Sequence, residues 1–189
     1  MRHSIRKASA MFATVATMAL IGGLLTGATP AQAGASTDGK VVAQGGLTVR
    51  SLPTTVGYPD AVIPNGKIIP LGCKIHGSSI DGNDRWYRLP GADSQWVSAR
   101  YVRNLGAPEW CGDGKHYIGQ TTALVNLRNG PTRAEGLAGA VGTDTRVGLL
   151  CKLRGETVDG NSWWYETKSG HWISARYVTN VGQSPAYCS

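Results

Sequence analysis

The chain has 189 residues, of which 16% are charged, and a formal net charge of +7. Its basic residues are scattered rather than clustered, which excludes a dense nucleic-acid-binding stripe. Beyond the N-terminus no stretch is apolar enough to span a bilayer.

Residues 1–33 read as a secretory signal peptide. Arg2, Arg6 and Lys7 make a basic start, an apolar run covers about 8–25, and Ala31-Gln32-Ala33 is a small-x-small cleavage site. The alternative is an uncleaved membrane anchor, but Gly22, Gly23 and Thr26 interrupt the run and the cleavage site follows promptly. No cysteine lies near position 33 to carry a lipid. Cleavage would leave Gly34 at the N-terminus. It removes three of the 19 Lys and Arg and none of the 12 Asp and Glu, so the mature chain holds sixteen against twelve, a net +4. That mild surplus, spread over both halves, suits a solvated surface or a weak attraction to anionic cell-surface polymers. The expected location is outside the cell, with no membrane insertion after cleavage and with association to the cell wall open.

After the leader the chain repeats itself. Val49-Arg50-Ser51-Leu52-Pro53-Thr54 returns as Leu127-Arg128-Asn129-Gly130-Pro131-Thr132, and Trp86-Tyr87 as Trp164-Tyr165. Trp96-Val97-Ser98-Ala99-Arg100-Tyr101-Val102 returns as Trp172-Ile173-Ser174-Ala175-Arg176-Tyr177-Val178. Arg50 to Arg128 is 78 positions (128 − 50), as is Cys73 to Cys151 (151 − 73). A period this long marks a small domain rather than a solenoid unit. The domains run 34–111 and 112–189. Only Gly112 separates them, too little for a flexible linker, so their relative orientation should be restricted and the pair should present one extended surface. Tandem modules commonly raise avidity for a repetitive partner.

Along the first repeat, strands are expected at 40–43, 47–50, 67–75, 85–89, 95–97 and 102–105, short runs dominated by Val, Ile, Trp and Tyr between glycine-rich turns. Residues 51–65, matched by 129–144, read as a long surface loop. Asp81-Gly82-Asn83 and Asp159-Gly160-Asn161 are hairpin signals. Nothing after the leader has helical periodicity over ten residues. The class is all-β, and each repeat is a small barrel.

Four cysteines in an exported chain read as two disulfides. Four allow three pairings, and the duplication selects Cys73–Cys111 and Cys151–Cys188, one within each repeat. Each closes a loop worth about 4 kcal/mol by chain entropy, enough to decide folding in a domain with so little core. Metal is not expected. There is no Cys-x-x-Cys, and His76, His116 and His171 do not occupy matching positions. No other cofactor is implied.

Each repeat resembles a bacterial SH3 (SH3b) domain. Val49-Arg50 through Pro53-Thr54 resembles the first strand and its loop, Gly82-Asn83-Asp84-Arg85-Trp86-Tyr87-Arg88-Leu89 the strand after the distal hairpin, and Trp96 through Val102 the closing strand, 3₁₀ turn and last strand. The resemblance covers nearly all of 38–188 and implies two tandem SH3-like barrels. It also places a ligand groove at Trp86 and Tyr101 of the first repeat, completed by Tyr58, and at Trp164 and Tyr177 of the second, where Gly136 stands in place of Tyr58.

A catalytic reading finds little support. Ser98 and Ser174 recur, but no histidine recurs near them, as a triad would need. Asp81 and Asp159 belong to turns. Every aromatic residue after the leader is Trp or Tyr, a flat ring with a polar handle suited to stacking on sugars or peptides. In so small a barrel such rings are equally candidates for core, above all Trp96 and Trp172; Trp110 and Tyr187 are expected to pack on the neighbouring disulfides. The expected function is a secreted, monomeric, non-catalytic binding protein for cell-wall peptidoglycan or its peptide stems. The alternatives are an adaptor or inhibitor acting on a secreted or surface protein, and a matrix role without a defined ligand.

Overall fold

A computed structural model describes residues 37–91 and 94–189; the signal-peptide reading and the Gly34 terminus lie outside the described residues. In the first repeat the strands are β1 (Thr37–Val41), β2 (Leu47–Arg50), β3 (Pro59–Ile63), β4 (Ile68–Leu71), β5 (Lys74–Ile80), β6 (Asn83–Arg88), β7 (Trp96–Ser98) and β8 (Val102–Asn104). The second has β9 (Tyr117–Thr121), β10 (Val125–Arg128), β11 (Leu137–Val141), β12 (Arg146–Val158), β13 (Asn161–Thr167), β14 (Trp172–Ser174) and β15 (Val178–Val181). Hydrogen-bonded neighbours in the second repeat run β11-β10-β14-β13-β12-β9-β15. The first repeat has the same order in two pieces, β3-β2-β7-β6-β5 and β4-β1-β8, because its counterpart of the long β12 is divided at Gly72 and Cys73 into β4 and β5. The fold is all-β, two SH3-like barrels in tandem.

Two of the strands lie where the sequence reads as loop. Pro59–Ile63 and Leu137–Val141 are outer strands on β2 and β10. Their side chains are mostly exposed, so the alternation that marks a half-buried strand is missing. Pro59 opens β3, a position that tolerates a residue without an N–H. The hairpins after β5 and β12 turn on Asp81-Gly82 and Asp159-Gly160, with φ of 48° and 79°, and 45° and 83°. Two successive positive φ values give the turn whose twist suits a hairpin.

Ser98 and Ser174 are buried and cap the 3₁₀ turns Ala99–Tyr101 and Ala175–Tyr177. Each hydroxyl accepts the backbone N–H two residues on, at 3.2 and 3.3 Å. After each barrel closes, the chain returns alongside β5 or β12 through the parallel bridges Lys74–Trp110 and Lys152–Tyr187. These bring Cys111 to Cys73 and Cys188 to Cys151, and both disulfides form within their own repeats.

Among the described residues there are three clusters of core. Val41, Val49, Leu71 and Val97 centre one in the first repeat; Leu149, Tyr165 and Ile173 centre one in the second. The third draws on both repeats and holds the two disulfides with Trp86, Trp96, Trp164 and Trp172. Both repeats belong to one compact unit. Polar straps accompany the shared core. Ser78 donates its hydroxyl to Glu135, and the Trp172 indole N–H donates to the His76 carbonyl at 2.9 Å.

Candidate functional site

The resemblance-based groove is only partly assembled. Trp86 and Trp164 are core, 1% and 2% exposed, which corrects their placement as open ligand platforms. Their indole N–H groups donate to the carbonyls of Ser78 at 2.9 Å and Glu156 at 2.8 Å. The physical reason lies in β5 and β12. A Cβ at Gly77 or Gly155 would meet the indole Cδ1 at 2.7 Å and the carbonyl of Pro53 or Pro131 at 2.0 or 2.1 Å. Glycine thus lets the loop after β2 or β10, the strand and the indole close over one another. Pairing the indole nitrogen is what makes a buried Trp affordable.

Tyr101 and Tyr177 follow the capped turns, and each hydroxyl donates to the hairpin aspartate, Asp81 at 3.4 Å and Asp159 at 2.6 Å. The bond to Asp159 pushes the Tyr177 phenol above its ordinary value, and partial burial pushes the same way. The guanidinium groups of Arg100 and Arg176 lie over these rings, with Arg100 also 3.5 Å from Asp81. Tyr58, 74% exposed, stands at the start of the outer strand. In the second repeat a cavity of about 350 Å³ joins Tyr177 and an edge of Trp164 to Arg128, Arg133 and Asp159. Arg133 also bonds Glu156, whose carboxyl is pushed up by burial, but hydrogen bonds from Arg133 and Thr132 outweigh that and hold it below the usual value.

A larger cavity, about 640 Å³, opens between the repeats, and sequence reasoning did not find it. Arg88, Ser94 and Trp96 come from the first repeat, and Lys152, Arg154, Trp163 and Tyr187 from the second. The strand register puts Arg154 opposite Trp163 on β12 and β13. The guanidinium lies 4.3 Å from the Trp163 ring centre, and the Lys152 ammonium lies 5.1 Å from that of Tyr187. The two rings meet at 5.5 Å, tilted by 52°. Trp163 has Arg85 as its counterpart in the first repeat, so it escaped a search for recurring residues; its signal was that very mismatch. Tyr187 and Trp110 adjoin the disulfide cysteines in the chain, but their ring contacts are with other side chains: Trp110, 42% exposed, stacks on His76 at 4.5 Å, and Tyr187, 59% exposed, meets Trp163.

Among the described residues, Cys151, Cys188 and Glu166 bring ligand-type atoms within 4.8 Å of one another. The two sulfurs are joined as a disulfide and offer no thiolate, so the donor set does not suit a metal ion. No helix among the described residues is long and apolar enough to cross a membrane.

No protein-family model matches the chain, and no curated protein matches it. Among solved structures it is similar to the CBD of endolysin LysPBC5, with 14% identity, a TM-score of 0.29, and coverage of 78% of this chain and 95% of that one. It is also similar to NlpC2 and NlpC1 from Trichomonas vaginalis, at 14% and 11% identity and a TM-score of 0.28 for each. It covers 48% and 45% of those two chains, so it spans about half their length. Likenesses at this level carry no argument about ligand or activity.

Proposed function

We propose that the chain is an exported, non-catalytic cell-wall-binding protein whose main ligand surface is the cavity between its repeats. The observation that carries this reading is the Trp163–Tyr187 shelf with Lys152 and Arg154 against it. Flat rings with fixed cations present stacking faces and charge together and lose little side-chain entropy on binding. Anionic, sugar- and peptide-bearing wall polymers offer both features. The recurring serines are turn caps and the cysteines are disulfide-bonded, so the residues that recur in both repeats contain no ready nucleophile–base pair.

Sedimentation with purified sacculi tests the reading. The wild-type protein should enter the pellet at low salt, and Trp163→Ala combined with Tyr187→Ala should leave most of it in the supernatant. A wild type that stays wholly in the supernatant defeats it. A second reading, a protein partner, draws on the outer strand β3, where Val62 and the adjoining Tyr58 are exposed beside an edge open to strand addition.

A further inference from the structure

The contacts between the repeats come in two halves, related by exchanging one repeat for the other, as in an isologous interface. In one half His76 of the first repeat meets Glu166 and Trp172 of the second. The strand registers identify the matching residues. His76 on β5 corresponds to Arg154 on β12, and Glu166 paired with Trp172 corresponds to Arg88 paired with Trp96. Arg154, Arg88 and Trp96 all line the 640 Å³ cavity, which is therefore the other half of the interface.

The two halves have been finished differently. The first is closed. Glu166 supplies a carboxylate that receives the His76 backbone N–H at 3.1 Å and lies 2.8 Å from its ring nitrogen, and the Trp172 N–H donates to the His76 carbonyl. The second half has a guanidinium where the first has its carboxylate, and another guanidinium where the first has imidazole. Lys152 stands beside them. Among the described residues no carboxylate pairs with Arg88, Arg154 or Lys152. Trp96, the counterpart of Trp172, is 2% exposed and lines the same cavity. Three cations and the Trp96 ring thus line a space that holds no counterpart of the closed half's carboxylate among the described residues. Like charges lining one space are costly, and an added carboxylate relieves that cost, with planar geometry that suits Arg.

We propose that this open half binds a carboxylate of an exogenous ligand between Arg88 and Arg154, with the adjoining part of the ligand against Trp163 and Tyr187. The Trp163 ring beneath Arg154 steadies one guanidinium, and a cavity of this volume suits a short peptide or sugar segment. For the source of the carboxylate, and only for that, the inference rests on the wall-binding reading: a peptide stem with free acid groups.

The test uses the whole exported protein and a synthetic stem tetrapeptide, once with its carboxyl groups free and once with all of them amidated. Binding is followed by calorimetry and by the tryptophan fluorescence that Trp163 should contribute. The free acid should bind, more weakly as salt rises, and the amide at least about tenfold more weakly, as expected for losing a charge-assisted pair. Arg88→Gln and Arg154→Gln should each cost about tenfold or more. Arg154→Glu places a carboxylate where the open half lacks one. It should abolish peptide binding while leaving the thermal midpoint at or above that of the wild type, which separates an occupied site from a damaged fold. Equal binding of acid and amide, wild-type affinity in both Gln variants, or no binding of the free acid overturns the proposal. Sacculi that pellet the wild type and both Gln variants alike would leave the wall reading standing and remove the clamp. Arginine-dependent binding of the peptide without sedimentation would do the reverse.

Discussion

Nδ1 of His76 lies 2.8 Å from Oε1 of Glu166, across the junction of the two repeats. Glu166 is 1% exposed, and the same oxygen accepts the backbone N–H of His76 at 3.1 Å. The carbonyl of His76 receives the Trp172 indole N–H, so this one residue gives both backbone groups and its ring to the other repeat. Gly170 lies against the imidazole ring on the same side, and Trp110 stacks on it within its own repeat. A carboxylate so far from water is tolerated only while donors face it.

Removing the ring should therefore hurt more than neutralising the acid. His76→Ala leaves the Glu166 carboxylate with the backbone donor alone. Taking one partner from a buried pair costs about 3–5 kcal/mol, and partial exposure of His76 should bring this to about 2. Glu166→Gln keeps an acceptor for the backbone N–H and should cost about 1 kcal/mol. Urea unfolding of both variants checks the order. Equal and negligible losses would mean that the pair does not hold the repeats together.

Trp86→Ala and Trp164→Ala should each destabilise the protein by about 3–5 kcal/mol, the range for emptying a large buried site. The thermal midpoint measures this without any ligand. A midpoint close to wild type would return the two rings to the surface role the resemblance gave them.

That resemblance shows what the sequence could and could not reveal. The barrels, their order and the disulfides were legible because each leaves a recurring mark: Cys73 and Cys151 at one spacing, and the Trp-x-Ser-Ala-Arg-Tyr-Val turn twice. Strands β3 and β11 were not legible, since outer strands with mostly exposed side chains carry no alternation. The burial of Trp86 depends on Pro53 and Gly77 closing over it, which are separated in the chain and joined only by folding. The cavity was hidden for the opposite reason. Repetition draws attention to what the repeats share, whereas Arg154 against His76, Arg88 against Glu166 and Trp163 against Arg85 are the places where they differ.

Thr54 offers a test of the packing between repeats. It is fully buried, and its Oγ1 has no hydrogen-bond partner. Its methyl group lies against Gly130 of the second repeat. Thr54→Val keeps the shape and removes the orphaned hydroxyl, so stability should stay level or rise by about 1 kcal/mol. Chemical denaturation decides it, and a loss above that size would reveal a hidden partner for the hydroxyl.

Glu156 is raised by burial, but Arg133 and Thr132 bond its carboxylate, the Arg133 contact at 2.7 Å, and the net effect leaves its folded-state pKa below the ordinary value of 4.5. A carboxyl that is a stronger acid folded than unfolded stabilises the fold when ionised. Its contribution is thus present above about pH 4.5 and is lost as the pH falls through the lower folded value. Glu156→Gln should have a shallower decline of stability over that acid window than the wild type. It should also be less stable at neutral pH, where Arg133 loses its ionic partner. The contact joins the loop after β10 to β12, beside the smaller cavity, so the loss should appear first as exchange of the amide protons around Arg133. Parallel stability profiles for the two proteins from pH 7 down to pH 3 would show that this carboxylate contributes nothing to acid sensitivity.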